Sequence, residues 1–119
     1  MPHCELHYSD DLGIDAHSLL VEIERVVNEH DSSARECKGR AYPTSIYHRP
    51  HLKVTVYMLT RPYRNAAFTQ ALMADLETRI KARITKSCYF SLVIEYSPEY
   101  YVTNEHVLGE DELVRYPQW

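Results

Sequence analysis

Two stretches of helical periodicity constrain the fold of this 119-residue chain most strongly. In the first stretch, apolar residues recur at the spacing of one helix face, at Ala16, Leu19, Leu20, Ile23, Val26 and Val27. The second stretch has a similar stripe, formed by Phe68, Leu72, Leu76, Ile80 and Ile84. Asp15 and Asn65 stand where helix N-caps are expected. The pattern therefore predicts two amphipathic helices that each bury one face.

Segments with alternating apolar and polar residues flank both helices and predict four strands. These segments are residues 2–8, 37–42, 52–59 and 89–96. The order is β-α-β twice, and right-handed crossovers place both helices on one face of a four-stranded sheet. We therefore expect an α+β fold in a single domain, 1–119. Its parts are a first βαβ unit (1–46), a second βαβ unit (50–97) and a C-terminal tail (98–119).

The sheet face opposite the helices carries a mixture of apolar and polar side chains. If the alternation holds, these residues are Lys53, Thr55, Tyr57, Leu59, Tyr89 and Val93. This mixture is too apolar for a face exposed to water and too polar for the hydrophobic core of a single subunit. We therefore expect other copies of the chain to cover this face.

Composition excludes several classes of protein. A net charge of −4 argues against a nucleic-acid binder, which would normally have a basic face. No apolar stretch has the length of a membrane span, and no signal-peptide pattern is found. Three cysteines without C-x-x-C spacing are typical of a reduced cytoplasmic protein. With three glycines there is no phosphate-binding loop, so we expect no nucleotide cofactor. From the charge and the lack of a long apolar stretch we expect no nucleic-acid partner and no membrane contact.

The tripeptide Met1-Pro2-His3 has two interpretations. Removal of Met1 would leave Pro2 with a free secondary amine, which can act as a general base. If Met1 stays attached, Pro2 is an ordinary residue at the start of a strand. The pair Pro50-His51 repeats the pattern before the second unit. The nitrogen of Pro50 is an amide, so amine chemistry belongs to the first unit alone.

Three short segments together resemble the 5-carboxymethyl-2-hydroxymuconate isomerase family of the tautomerase superfamily. They are Met-Pro-His at 1–3, Lys-Gly-Arg-Ala at 38–41 and Tyr-Val-Thr-Asn-Glu-His at 101–106. With the two βαβ units, the resemblance covers roughly residues 1–108. The chain differs from the family pattern in two places. Lys38 stands where the family has an arginine, and the segment 42–51 is shorter than the corresponding segment of the family. Lysine is a point charge and lacks the planar fork with which arginine binds a carboxylate.

The resemblance implies a homotrimer with active sites near the subunit interfaces. It also implies isomerisation of a small unsaturated keto- or hydroxy-acid with several carboxylates, in aromatic compound catabolism, without a metal or an organic cofactor. Pro2 maps onto the general base of the family, and Lys38 and Arg40 map onto its carboxylate-binding residues. We expect His3 to bind the anionic substrate beside them.

The proposed base would need a lowered pKa, because a free α-amine ordinarily has a pKa of about 7.7–8.0. Burial and nearby cations both disfavour the charged amine. If the second strand pairs in parallel with the first, Lys38 and Arg40 approach Pro2 and act in this direction. The same cations would stabilise a dienolate intermediate.

Alternatives remain open at this point. His3, Glu5 and His7 share a strand face that suits a metal, but they lack a fourth ligand, and we expect no metal site. For Asn104 and His106 the alternatives are a contact with the substrate or a neighbouring subunit and a surface turn, and we expect the turn. A ferredoxin-like βαββαβ module has the same element order and would bind a small ligand without catalysis. A family member that has lost its activity and kept only the trimer is a third possibility.

Overall fold

The computed structural model describes residues 1–109 of the chain. Four strands and two helices follow in the predicted order: β1 (His3–Ser9), α1 (Ala16–His30), β2 (Lys38–Thr44), β3 (His51–Met58), α2 (Ala66–Lys81) and β4 (Tyr89–Tyr96). Short 3-10 helices occupy Asp10–Leu12 and Ser32–Ala34. Neither α-helix of this region is long and apolar enough to cross a membrane. The predicted α+β class is confirmed.

The strands form one mixed sheet in the order β2-β1-β3-β4. β1 pairs in parallel with β2, and β3 pairs in parallel with β4. The antiparallel pairing of β1 with β3 joins the two βαβ units. In the ferredoxin-like alternative, another strand separates the parallel strands of each split βαβ unit. In this chain the parallel strands of each unit are direct neighbours, so the ferredoxin-like alternative is wrong.

A core of apolar side chains lies between the sheet and the two helices. Alternate strand residues are buried, namely Cys4, Leu6 and Tyr8 of β1 and Leu52, Val54, Val56 and Met58 of β3. They pack with buried helix residues that include Leu19, Ile23, Val26, Leu72, Leu76 and Ile80. Each such side chain stabilises the fold by about 1.5–3 kcal/mol through burial. The predicted helix stripes therefore form the core, as their periodicity indicates.

Both predicted N-caps are confirmed. The Asp15 carboxylate accepts a hydrogen bond from the Ser18 amide at 3.2 Å, and the Asn65 side chain accepts one from the Phe68 amide at 3.0 Å. These bonds satisfy amide groups that have no partner inside the helix. α1 packs closely against β2 at Gly39. A Cβ atom at this position would be only 2.8 Å from the Leu20 side chain.

The two units begin alike. The carbonyl of Pro2 accepts a hydrogen bond from the Lys38 amide at 2.9 Å, and the carbonyl of Pro50 accepts one from the Tyr89 amide at 2.9 Å. Lys38 and Tyr89 therefore occupy equivalent positions at the start of the second strand of each unit. The Pro-His pairs seen in the sequence correspond to this shared geometry.

Three of the four strands have bounds that differ from prediction. β2 continues through Pro43 to Thr44 rather than ending at residue 42. Proline is tolerated there because β2 is an edge strand, where a missing N–H can face away from the ladder. β3 begins at His51 and ends at Met58, so Leu59 lies outside the strand and is not part of the outer sheet face. β1 begins at His3, one residue later than expected.

The sheet face opposite the helices, here called the outer face, has the expected mixed character. It carries Lys38, Arg40 and Tyr42; His3, Glu5 and His7; Lys53, Thr55 and Tyr57; and Tyr89, Ser91, Val93 and Glu95. Arg40 donates to Glu5 at 3.0 Å, and the rings of His7 and Tyr42 stack with centroids 4.7 Å apart. No helix covers this face in the described residues. Residues 97–108 follow β4 without regular secondary structure, and the prediction for the end of the tail, 110–119, lies outside the described residues.

A buried ion pair connects the two units at the end of the sheet where the chain begins. Asp31 Oδ2 accepts hydrogen bonds from Arg64 Nε at 2.9 Å and Nη2 at 2.7 Å. The Tyr63 hydroxyl donates to the same oxygen at 3.0 Å, and Ser33 donates to Oδ1. Burial alone would raise the pKa of Asp31. The hydrogen bonds from Ser33, Arg64 and Tyr63 outweigh burial and lower the pKa to about 2.

We expect Asp31→Asn to lower the free energy of unfolding by about 3 kcal/mol, because it leaves the Arg64 charge buried without an anion. Urea denaturation at pH 7 measures the loss. Glu77→Gln is the control, since it removes an exposed i,i+4 pair with Lys81 and should change stability by less than about 0.5 kcal/mol. Equal effects of the two substitutions would contradict the importance of the buried pair.

The same pair predicts a pH dependence. The folded-state pKa of Asp31, about 2, lies below the ordinary value of 3.8. The contribution of Asp31 to the free energy of unfolding is therefore complete above the ordinary pKa. It is lost as the pH falls through the folded-state pKa. Asp31→Asn should remove this part of the acid destabilisation, and acid titrations of both proteins followed by circular dichroism would show the difference.

Candidate active site

The N-terminal residues lie against the start of β2. Pro2 is buried, and its carbonyl is bonded to the Lys38 amide. In the parallel register, His3 is opposite Lys38. The sheet therefore brings Pro2, His3 and Lys38 to one end of the outer face, as the prediction from parallel pairing requires. Met1 is joined to Pro2 in the described chain, so the terminal amine belongs to Met1.

An open groove of about 600 Å³ lies beside the terminus and is lined by Met1, Arg35, Glu36, Asn104 and Glu105. Two of these residues come from the connection between α1 and β2, and two come from the segment after β4. This segment also contacts Lys38, whose Nζ is 3.5 Å from the Thr103 hydroxyl. Asn104, which we expect in a surface turn, is exposed and lies on the groove. His106 is exposed.

The terminal amine has an environment that favours its neutral form. Burial lowers its pKa below the ordinary value of 8.0, and the positive charges of Lys38, Arg64 and Arg61 lower it further. Cys37 acts in the opposite direction. A terminal amine with a lowered pKa is a better proton acceptor near neutral pH, because a larger fraction is unprotonated.

The surroundings of Arg40 differ from those of Lys38. Its guanidinium is bonded to Glu5 and half exposed, and Arg40 is not among the charges that lower the pKa of the amine. The arginines that do so are Arg61 and Arg64, from the connection between β3 and α2. The sequence pointed to neither, because their position depends on the antiparallel pairing of β1 with β3. That pairing returns the end of β3 to the start of β1.

His3 has an incomplete set of hydrogen bonds. Its Nδ1 is buried and has no hydrogen-bond partner in the part of the chain that the structure describes. Burial lowers the pKa of His3, and Lys38 and Arg40 lower it further, so the ring is neutral at pH 7. Burying this nitrogen without a hydrogen-bond partner lowers the stability of the fold.

Arg35 has a backbone conformation that normally requires glycine, with φ 59° and ψ −140°. For a residue with a Cβ atom, such a conformation costs about 1–3 kcal/mol. The surroundings impose it. The preceding Ala34 is buried, and the carbonyl of Arg35 accepts a hydrogen bond of 2.6 Å from Asn28 Nδ2. No sequence signal marks this residue, because its φ depends on tertiary contacts on both sides.

The residues at this end of the molecule give little support for a metal site or a cysteine nucleophile. Within residues 1–109, no three His, Cys, Asp or Glu side chains converge in a way that could hold a metal ion. In the triplet of His3, Glu5 and His7, Glu5 is bonded to His7 and Arg40 instead. Burial raises the pKa of Cys37 to about 12, so its thiol is protonated and a poor nucleophile.

Comparisons by sequence find no relative: no protein-family model matches the chain, and no curated protein matches it. Comparisons by structure do. The chain is similar to a crystal structure of 5-carboxymethyl-2-hydroxymuconate delta-isomerase, with a TM-score of 0.69 and 15% identity over 89% of each chain. It is also similar to a fused 4-OT solved as a symmetric trimer, with a TM-score of 0.61 and 9% identity over 86% of this chain and 93% of that one.

A third similar structure is an FG41 malonate semialdehyde decarboxylase inhibited by 3-bromopropiolate. Its TM-score is 0.57, with 12% identity over 86% of this chain and 88% of that one. At these identities the similarity concerns the fold. It covers both βαβ units, as the resemblance in the sequence implied. The chain therefore has the tautomerase-like fold.

Proposed function

We propose that this protein is a cofactor-independent isomerase or tautomerase, similar in reaction to 5-carboxymethyl-2-hydroxymuconate delta-isomerase. Its substrate is a small unsaturated keto- or hydroxy-polycarboxylate. Its general base is the amine of Pro2, freed by removal of Met1. The observation that carries the proposal is the place of Pro2, buried at the start of β1 with its carbonyl bonded to the Lys38 amide. One residue earlier, burial and the charges of Lys38, Arg64 and Arg61 lower the pKa of the Met1 amine, and we infer the same direction for the amine of Pro2.

Removal of Met1 changes the nitrogen of Pro2 from a tertiary amide into a secondary amine with a basic lone pair. This amine lies one residue deeper than that of Met1, at a position where Pro2 is buried. It accepts a proton from one carbon or hydroxyl of the substrate and returns it to another carbon. The product has the composition of the substrate, so the reaction needs no oxidant or second substrate.

The cations of the site have two roles in this scheme. Lys38 binds a substrate carboxylate, and its charge holds the electrons of the dienolate formed when the proton leaves. The neutral ring of His3, opposite Lys38 in the sheet, lies beside the carboxylate that Lys38 binds. Arg40 is held by Glu5 and acts on the site mainly through its charge at His3. Together these groups bind an anion, adjust the base and stabilise the intermediate.

We expect Pro2→Ala to lower kcat for the model enol phenylenolpyruvate by at least about 10²-fold, the scale of a positioned general base. The variant keeps a terminal amine but loses the ring that fixes it. Pro50→Ala is the matched control, since Pro50 starts the second unit with the same backbone hydrogen bond and has no amine. Intact mass spectrometry of each protein should first show that Met1 has been removed. An unchanged kcat in Pro2→Ala with native circular dichroism would refute the proposed base.

We expect Lys38→Gln to raise the pKa of the Pro2 amine, because the substitution removes a neighbouring positive charge that disfavours the protonated form. The same charge lowers the pKa of the Met1 amine one residue earlier. The acidic limb of the kcat/KM profile should move to higher pH, since this limb reports the base of the free enzyme. Lys53→Gln is the control at the opposite end of the outer face. A limb that stays in place in Lys38→Gln would show that another group limits the rate.

We also propose that the protein is a homotrimer whose subunits cover the outer face. This face carries Tyr57, Val93 and Tyr89 among charged groups, and a protein of the same fold has been solved as a symmetric trimer. Sedimentation should show a trimer at micromolar concentration. Val93→Glu should dissociate it, because the substitution adds a buried charge at the interface. Ala71→Glu, on the exposed side of α2, should leave it intact, and a monomeric wild-type protein would refute the assembly.

A further inference from the structure

We propose that His7 makes the assembly sensitive to acid: a proton taken up by its imidazole dissociates the subunits that cover the outer face. The inference rests on the homotrimer proposed above and adds its regulation, and it does not depend on the identity of the substrate. His7 stands on β1, one of the two inner strands of the sheet. A subunit that covers the outer face therefore covers His7.

Four side chains in the middle of the outer face, here called the central cluster, surround this imidazole: His7, Glu5, Arg40 and Lys53. Nε2 of His7 is 3.1 Å from Glu5 Oε1, and Arg40 Nη2 donates to Glu5 Oε2 at 3.0 Å. Lys53 lies opposite His7 in the antiparallel register of β1 with β3. On the side of β2, the ring of Tyr42 stacks on the imidazole. His7 therefore lies between cations on both neighbouring strands, with one shared carboxylate on its own strand.

The protonation of His7 decides the charge of the central cluster. With a neutral ring, two cations (Arg40 and Lys53) and one anion (Glu5) give a net charge of +1, and a proton raises it to +2. Glu5 is the acidic residue that β1, β2 and β3 place on this face, and these strands place no other there. Hydrogen bonds from His7 and Arg40 hold the pKa of Glu5 below its ordinary value of 4.5. The carboxylate therefore stays an anion over the range in which imidazoles titrate.

The additional charge is tolerated in a free subunit and opposed in the trimer. The side chain of His7 is 50% exposed in the single chain, so water can solvate an imidazolium there. A neighbouring subunit that covers the face removes this water, and burying a cation without its own anion is costly. The outer face of a second copy offers its own Glu5, which is already shared with Arg40, and Glu95 on the edge strand β4. Each subunit also brings the same cluster, so like charges accumulate.

Acid dissociates the trimer because protons bind more tightly to the free subunit. Assembly is complete at a pH where the imidazole is neutral in both states, and it is lost as the pH falls through the imidazole range. An imidazole with the ordinary pKa of about 6.5 is protonated about ten to one at a pH of about 5.5. One such proton per subunit lowers the association constant of a trimer by about 10³, which raises the concentration of half-dissociation by about 30-fold.

Two other histidines near this face are less suited to the role. Burial and the charges of Lys38 and Arg40 already lower the pKa of His3 within the single chain, so it resists protonation before assembly. His51 lies at the first position of β3, where its Nδ1 donates to the Arg49 carbonyl at 2.8 Å. Its ring contacts Tyr47 rather than the central cluster.

Sedimentation of the full chain over a series of concentrations, at a pH of about 7.5 and of about 5.5, tests the inference. The concentration of half-dissociation of the wild type should rise by about 30-fold at the lower pH, with native circular dichroism. His7→Gln keeps a donor for Glu5 and cannot gain a charge, so this rise should shrink to less than about threefold. His17→Gln, on the exposed side of α1, is the matched control and should behave as the wild type.

A second variant applies the charge change without acid. Glu5→Gln removes the shared anion and gives the central cluster a net charge of +2 at neutral pH. Its trimer should be as weak at a pH of about 7.5 as the wild-type trimer is at about 5.5. If His7→Gln does not assemble at all, Glu5→Gln decides the question, since wild-type assembly in that variant would overturn the inference.

The results separate this inference from the proposed function. A wild-type trimer whose half-dissociation does not change with pH, or a rise that persists in His7→Gln, would overturn the role of His7 and leave the homotrimer in place. A wild-type protein that is monomeric at neutral pH would refute the assembly and this inference together. Neither result bears on the isomerase reaction, which the kcat of Pro2→Ala tests independently.

Discussion

The buried pair of Asp31 and Arg64 fixes the end of the molecule on which the candidate chemistry depends. Asp31 ends α1 and caps the short helix that leads to Arg35. Arg64 belongs to the connection after β3 and also donates to the Leu59 carbonyl at 2.7 Å. A buried ion pair is weak evidence for net stability, since desolvation opposes the attraction. Its effect here is positional: it holds two connections from different units beside the N-terminus.

The two βαβ units share a geometry and differ in chemistry. Each begins with a proline whose carbonyl accepts a hydrogen bond from the second strand of its unit. In the first unit the partner is Lys38, whose charge acts on the terminal amine. In the second unit the partner is Tyr89, and the proline nitrogen is an amide within the chain. One scaffold thus supports the proposed reactive end in the first unit and a structural end in the second.

The sequence predicted the features that depend on local pattern. The N-caps Asp15 and Asn65 and the bounds of β4 agree with the structure because periodicity and capping are local. Pro43 misled the prediction of β2, since the tolerance for proline depends on which strand lies at the edge. Lys38 could be identified because its position depends only on parallel pairing within one unit.

The remaining site residues depend on contacts between distant segments. Arg61 and Arg64 reach the amine only because β1 and β3 are antiparallel. The conformation of Arg35 depends on Asp31, Asn28 and the start of β2, which no single window of sequence contains. Asn104 reaches the groove because the segment after β4 returns past Lys38.

The burial of Pro2 bears on whether Met1 is removed before or after the chain folds. An aminopeptidase must hold the first residues in an extended form, but in the folded protein Pro2 is buried and its carbonyl is occupied by an amide 36 positions later. If Pro2 provides the base, the methionine must leave while β1 is still unpaired, before β2 has been added. Enzyme competence would then be decided during synthesis, and a molecule that folded too early would keep its methionine and remain inactive.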